Sequence, residues 1–182
     1  MKGKNVSKVK DAITKEEFYI KKLNSNEKKF YEKIYESDIA PEFSFFKDEK
    51  DNDFVKMKSF GTTLAYYIDL NEFMNIECLS HILIPLNKKI QKLHDLGIVH
   101  IDLHTNNILV DWVGDSNKMD VKIIDFDLSR FTDDLCDEDF DDFKTFLPKF
   151  DPLEEESESS NLKQKIQYLM NYEYEMWKMD YF

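Results

Sequence analysis

Two stretches of this chain set oxygen-bearing side chains beside short apolar runs. The first, Gly97 to Val110, carries Asp102, His104 and Asn107 in a polar loop just ahead of Ile108-Leu109-Val110. The second, Val121 to Arg130, is an apolar run that ends in Asp125-Phe126-Asp127-Leu128-Ser129. These residue types suit phosphoryl transfer from ATP. That reaction needs a carboxylate to orient the attacking hydroxyl and accept its proton, oxygen ligands to hold Mg²⁺ on the phosphates, and a rigid frame for both. Mg²⁺ prefers hard oxygen ligands and keeps several waters, so one carboxylate and one amide oxygen suffice. Asp-Phe-Asp alone would carry no weight in a chain with 37 acidic residues. The ordered set of loop, strand, hairpin, strand and Asp-Phe carries more. The competing reading is a helix followed by a β-hairpin with ordinary polar turn residues.

The elements that must position these residues are legible from patterning. Extended segments are expected up to Leu23, ending in the run Phe18 to Leu23. Asn24, Ser25 and Asn26 supply N-cap chemistry for a helix from about Glu27 to Glu36, with Phe30, Tyr31, Ile34 and Tyr35 at helical spacing. Strands are expected around Phe43 to Phe46 and Phe54 to Met57, joined by a polar turn. Gly61 reads as a hinge, with Thr62 or Thr63 capping a helix toward Phe73. A long helix covers Ile76 to Leu96, kinked or split at Pro85, and Gly97 is its C-cap. Strands Ile108 to Val110 and Val121 to Ile124 flank a hairpin loop at Gly114 to Asn117. A helix with Phe140, Phe143 and Leu147 on one face follows an acidic region, and a last helix is expected near Leu162 to Trp177.

At Gly97 to Arg130 the sequence resembles the protein-kinase superfamily, whose catalytic loop reads H-R-D-L-x-x-x-N and whose metal motif reads D-F-G. Here these are His100-Ile101-Asp102-Leu103-His104-Thr105-Asn106-Asn107 and Asp125-Phe126-Asp127. The resemblance implies Asp102 as catalytic base, Asn107 and Asp125 as ligands of Mg²⁺ on ATP, and His100 as a support of the loop. Tyr19-Ile20-Lys21 resembles V-A-I-K, which implies Lys21 on the α- and β-phosphates and Glu27 as its ion-pair partner. Lys22 rivals Lys21, because successive strand residues face opposite ways, and Glu32 rivals Glu27. A solvated surface charge is the plain alternative for each.

Departures from the pattern are equally informative. Gly3 is the sole glycine where a glycine-rich loop is expected, and Ser7-x-Val9 matches only its end. Ile101 replaces the arginine that reads a phosphorylated activation loop, and no Ala-Pro-Glu follows, so switching by activation-loop phosphorylation is not expected. His104 stands in place of a lysine, as in aminoglycoside phosphotransferases; it either donates a hydrogen bond to the γ-phosphate or simply fills the loop. Asp127, in place of the motif's glycine, either adds to the metal site or restrains its loop. Asp139, rivalled by Asp142, is a candidate to hold the catalytic loop backbone. The truncation resembles small atypical kinases: the RIO type, the kinase of the tRNA threonylcarbamoyladenosine machinery, and minimal kinases of large DNA viruses.

The fold class expected is α+β: a two-lobed protein-kinase-like fold with a reduced N-terminal β lobe and a truncated helical C-terminal lobe. Residues 1–58 form the first lobe, 59–62 the hinge, 63–152 the second lobe, 153–161 a linker and 162–182 a terminal helix. Fifteen Phe and nine Tyr support a packed core. A formal net charge of -12 disfavours direct nucleic-acid binding and favours a basic protein substrate or scaffold, though solubility explains it equally. Cys78 and Cys136, the absence of a signal-like N-terminus and the lack of a span-length apolar run point to a soluble, cytoplasmic, reducing location without membrane contact. The reaction expected is that of a minimal serine/threonine protein kinase. The alternatives are a small-molecule phosphotransferase and a pseudokinase that only binds a partner.

Overall fold

The computed structural model describes residues 6–70, 76–113 and 118–134. In chain order these form β1 (Val6–Lys10), β2 (Glu17–Lys22), α1 (Ser25–Ile34), β3 (Phe43–Lys47), β4 (Asp53–Lys58), β5 (Thr62–Thr63), α2 (Leu64–Leu70), α3 (Ile76–Asp95), β6 (Ile98–Val99), β7 (Ile108–Trp112), β8 (Met119–Ile123) and β9 (Arg130–Phe131). Single 3-10 turns lie at Phe126–Leu128 and Thr132–Asp134. The result is an α+β kinase-like fold. Expectations for Gly3, for the loop Gly114 to Asn117, for Asp139 and Asp142, and for the helices and linker beyond Asp134 fall outside the described residues.

The first half is an antiparallel sheet in the order β1-β2-β4-β3, with α1 packed beside it. Its register decides between neighbouring lysines. Lys21 stands opposite Val55, which is fully buried, whereas Lys22 stands opposite Phe54 on the other face. Directly opposed residues share a face of the sheet, so Lys21 points inward and Lys22 outward. The side chain of Asn24 caps α1, accepting from the backbone N–H of Asn26 (2.9 Å) and Glu27 (2.7 Å). The cap fixes Glu27 in the first turn, where a carboxylate also complements the helix dipole. α1 turns Glu27, Phe30, Tyr31 and Ile34 inward. It ends at Ile34, two residues short of the expected Glu36.

The second half carries the sheet β5-β7-β8 and the pair β6-β9. α3 is one helix through Pro85 and covers β8. Leu86, Ile90 and Leu93 are buried in the common core. Gly97 ends α3 at φ 69°, its N–H donating to the His94 carbonyl at 2.7 Å. Aromatic rings join the halves. Phe126, fully buried, meets Tyr31 of α1 edge-on at 5.3 Å, and Phe131 lies 4.6 Å from Phe30.

Thr62 is already a strand residue, paired with Val110, so the connection from β4 to β5 is residues 59–61, with the Ser59 N–H still donating to the Glu17 carbonyl at 2.9 Å. Thr63 accepts from the Tyr66 N–H at 3.2 Å at the start of α2. Gly61 has φ 35°, and a Cβ there would lie 1.9 Å from the carbonyl oxygen of Val110. Relief would require parting β5 from β7. Gly61→Ala is therefore expected to cost about 3 kcal/mol or more, read as a lower midpoint in urea unfolding. An unchanged midpoint would show that the strands part freely.

Candidate active site

Lys21 is the meeting point of the two halves. Its ammonium lies 2.5 Å from Glu27 Oε1, 2.8 Å from Asp125 Oδ1 and 2.9 Å from Asp127 Oδ1. Lys22 is exposed, and the side chain of Glu32, 55% accessible, lies 4.0 Å from Lys28 and not on Lys21. One oxygen each from Glu27, Asp125 and Asp127 fall within 4.8 Å of one another, a spacing that suits a cation, and the Lys21 ammonium is the cation they share here. Asp127 thus sits with Asp125 on Lys21, and sequence spacing alone did not foresee that pairing.

The charges at this cluster do not balance: one ammonium faces three carboxylates. Burial, followed by hydrogen bonding to Asp127, pushes the Glu27 carboxyl up to about 7, against the opposing pull of Lys21. Oε2 of Glu27 is buried and has no hydrogen-bond partner among the described residues.

The second group lies on the loop before β7. The Asn107 amide nitrogen donates to the Asp102 carbonyl oxygen at 2.9 Å and to Asp102 Oδ2 at 3.2 Å. With its amide nitrogen turned to Asp102, Asn107 keeps Oδ1 as a hard oxygen for a cation. The His104 Nδ1 accepts from the Asn106 N–H at 3.2 Å, and Nε2 lies 3.2 Å from the Asn107 amide nitrogen and 3.6 Å from Asp102 Oδ1. The side chains of Asp102 and His104 are 36% and 38% accessible, open enough to meet an acceptor.

Backbone contacts lock the two groups together. The Ile124 N–H donates to the Asn107 carbonyl at 3.0 Å, and His100 Nε2 lies 2.9 Å from the Ile124 carbonyl. Burial lowers the His100 pKa to about 4, so the ring is neutral and donates through Nε2. Ile101 has φ 71°, and the Asp102 N–H closes onto the His100 carbonyl at 2.8 Å. That is a γ-turn at a β-branched residue, a conformation that costs about 1–3 kcal/mol. Asp125 is also left-handed, at φ 70° and ψ 67°. Both carboxylates therefore stand next to a forced bend of the chain.

The profile of the lipopolysaccharide kinase (Kdo/WaaP) family matches residues 61–164, more than half of the chain. This chain belongs to that family. The family lies within the protein-kinase-like superfamily, and its reaction class is phosphotransfer. Membership implies use of ATP and, usually, of a divalent metal. Asn107 Oδ1 and the carboxylates of Asp125 and Asp127 suit such a metal, being hard oxygen donors. The match does not reach the narrower likeness to RIO-type, tRNA-modifying or viral kinases. Comparison with curated proteins returns no match. Among the described residues, no helix is long and apolar enough to cross a membrane.

The raised Glu27 pKa fixes the sign of a pH effect. An unfolded glutamate ionises near 4.5, whereas the folded one holds its proton to about 7. Between those values the folded state binds the extra proton, so stability falls as pH rises through the window. Urea midpoints measured from pH 4.5 to 7.5 are expected to decline, and Asp127→Asn is expected to flatten the slope. The same slope in Glu27→Gln would assign it to another group.

Proposed function

We propose that this chain transfers the γ-phosphate of ATP to a hydroxyl group of a sugar. The observation that carries this reading is the convergence on Lys21 of Glu27 and Asp125, at 2.5 and 2.8 Å. Lys21 is placed to take the α- and β-phosphates, exchanging its contacts with Asp125 and Asp127 for phosphate oxygens, while Glu27 steadies it. Asn107 and Asp125, with Asp127 beside them, would hold Mg²⁺, which supplies charge neutralisation on the phosphates when bound. Asp102 accepts the proton of the incoming hydroxyl. Its carboxylate is oriented by the Asn107 amide at 3.2 Å. His104, 38% accessible, offers a ring nitrogen for a hydrogen bond at the mouth of the site.

A sugar acceptor is favoured by the family's description and by the Asp-Leu-His order of residues 102–104, which resembles that of aminoglycoside phosphotransferases. A second reading, a minimal serine/threonine protein kinase, draws on the net charge of -12, which would attract a basic protein substrate or scaffold. A binding-only pseudokinase is a third reading, motivated by the near absence of glycine ahead of β2.

Purified protein with Mg·ATP carrying a labelled γ-phosphate distinguishes the three. Label is expected on sugars, amino sugars and acidic sugars included, and not on basic proteins. Asp102→Ala is expected to lower transfer about 10²–10⁴-fold, and Asp125→Ala to weaken Mg·ATP binding as well. Label on basic proteins alone would favour the protein-kinase reading. Transfer unaffected by both substitutions would place the chemistry elsewhere, and wild-type protein that neither binds nor transfers would be the pseudokinase.

A further inference from the structure

Away from Lys21 a second ionic group, whose charges balance, gathers around one buried lysine and an exposed aspartate, Asp38, whose side chain is 68% accessible. Lys122 of β8 is 6% exposed. Its ammonium pairs with Asp38 Oδ1, lies 3.3 Å from the Asp38 carbonyl oxygen and 2.9 Å from Asp120 Oδ2, and stands 5.5 Å from the centre of the Phe60 ring. Lys89 of α3 reaches the same aspartate: its ammonium is 2.5 Å from both the carbonyl oxygen and Oδ2 of Asp38, and 3.7 Å from Asp120 Oδ1. Asp38 itself is left-handed, at φ 59°. One residue on, the Ile39 carbonyl accepts from the Ile123 N–H at 2.9 Å.

We propose that Asp38, Lys89, Asp120 and Lys122 form an ionic clamp that sets the separation of the two halves of the nucleotide site, which makes them positioning residues for ATP binding. This rests on the ATP-site reading given above. The placement carries the argument. Lys122, in the second half, meets the first half at Asp38, in the turn between α1 and β3, and lies over Phe60, in the connection 59–61. Glu27 lies in the first turn of α1, and Ile124 alone separates β8 from Asp125. The two elements that meet on Lys21 are therefore tied again at the clamp. Ion pairs with an exposed partner add little to stability. Two lysines converging on the carboxylate and backbone carbonyl of Asp38 are, in this proposal, a positional restraint. If the halves sample other separations, the apparent dissociation constant rises by the reciprocal of the competent fraction. Nucleotide affinity should then change more than the rate of the bound complex.

Asp38→Asn is the discriminating variant, because asparagine tolerates the left-handed backbone and keeps the carbonyl while removing the charge. Titration with Mg·ATP is expected to show affinity about fivefold weaker, with kcat at saturating ATP within about twofold of wild type. Lys122→Arg is expected to keep most of the affinity, while Lys122→Met loses it. Amide exchange gives a reading independent of nucleotide: the Ile123 N–H should exchange faster in Asp38→Asn while amides in the middle of α3 do not. Unchanged affinity together with a lowered Tm would mean a merely structural role and overturn the proposal. Should wild-type protein bind no nucleotide, the ATP-site reading falls. The clamp is then judged on Ile123 alone: faster exchange in Asp38→Asn supports it, and unchanged exchange overturns it.

Discussion

A single ammonium surrounded by three carboxylates governs this structure. Lys21 and Asp125 are 104 residues apart in sequence, yet their charged atoms lie 2.8 Å apart. No local pattern can bring such groups together. The register of β2 on β4 turns Lys21 inward, the Asn24 cap presents Glu27 from the first turn of α1, and a left-handed Asp125 swings back from the end of β8. Each device is ordinary alone. Their agreement on one nitrogen atom is what makes the cluster a site, because three carboxylates cannot be held together in a half-buried space without a shared cation or a proton.

The two ionic groups differ in a way that matches their proposed uses. Around Lys21 negative charge is in excess, and Glu27 answers by retaining a proton to about 7. Such a cluster is primed to accept further positive charge. Around Asp38 two lysines face two aspartates. Burial opposes the charge on Lys122, but its carboxylate partners outweigh this and raise its pKa, while both lysines hold Asp38 below the usual carboxylate range. Charge excess suits the arrival of a further cation, whereas the balanced group has no such demand.

Much of this arrangement was legible in the sequence. Asn24 chemistry located the start of α1, Gly97 located the end of α3, and apolar runs located β7 and β8. The resemblance to kinase motifs implied Lys21, Glu27, Asp102, Asn107 and Asp125, with Lys22 and Glu32 as rivals that only sheet register and burial separate. What escaped was non-local or conformational. The pairing of β6 with β9 involves two residues on each strand, too few for periodicity to register. Nothing in the letters of Ile101 announces φ 71°, since β-branched residues avoid that region and only the surrounding contacts force it. Pro85 suggested a break, yet α3 continues through it, held by the face it buries against β8. The Asp38 group was invisible because lysines and aspartates are common surface residues of an acidic chain, and only their convergence across 84 residues sets these apart.

The bend at Ile101 has an implication for laboratory evolution. Glycine at that position would relax the backbone at once, so variants selected only for heat tolerance should accumulate there early. Variants selected for turnover should resist the same change, because a freer backbone there would loosen the adjoining Asp102. A library sorted both ways would therefore diverge first at one aliphatic side chain.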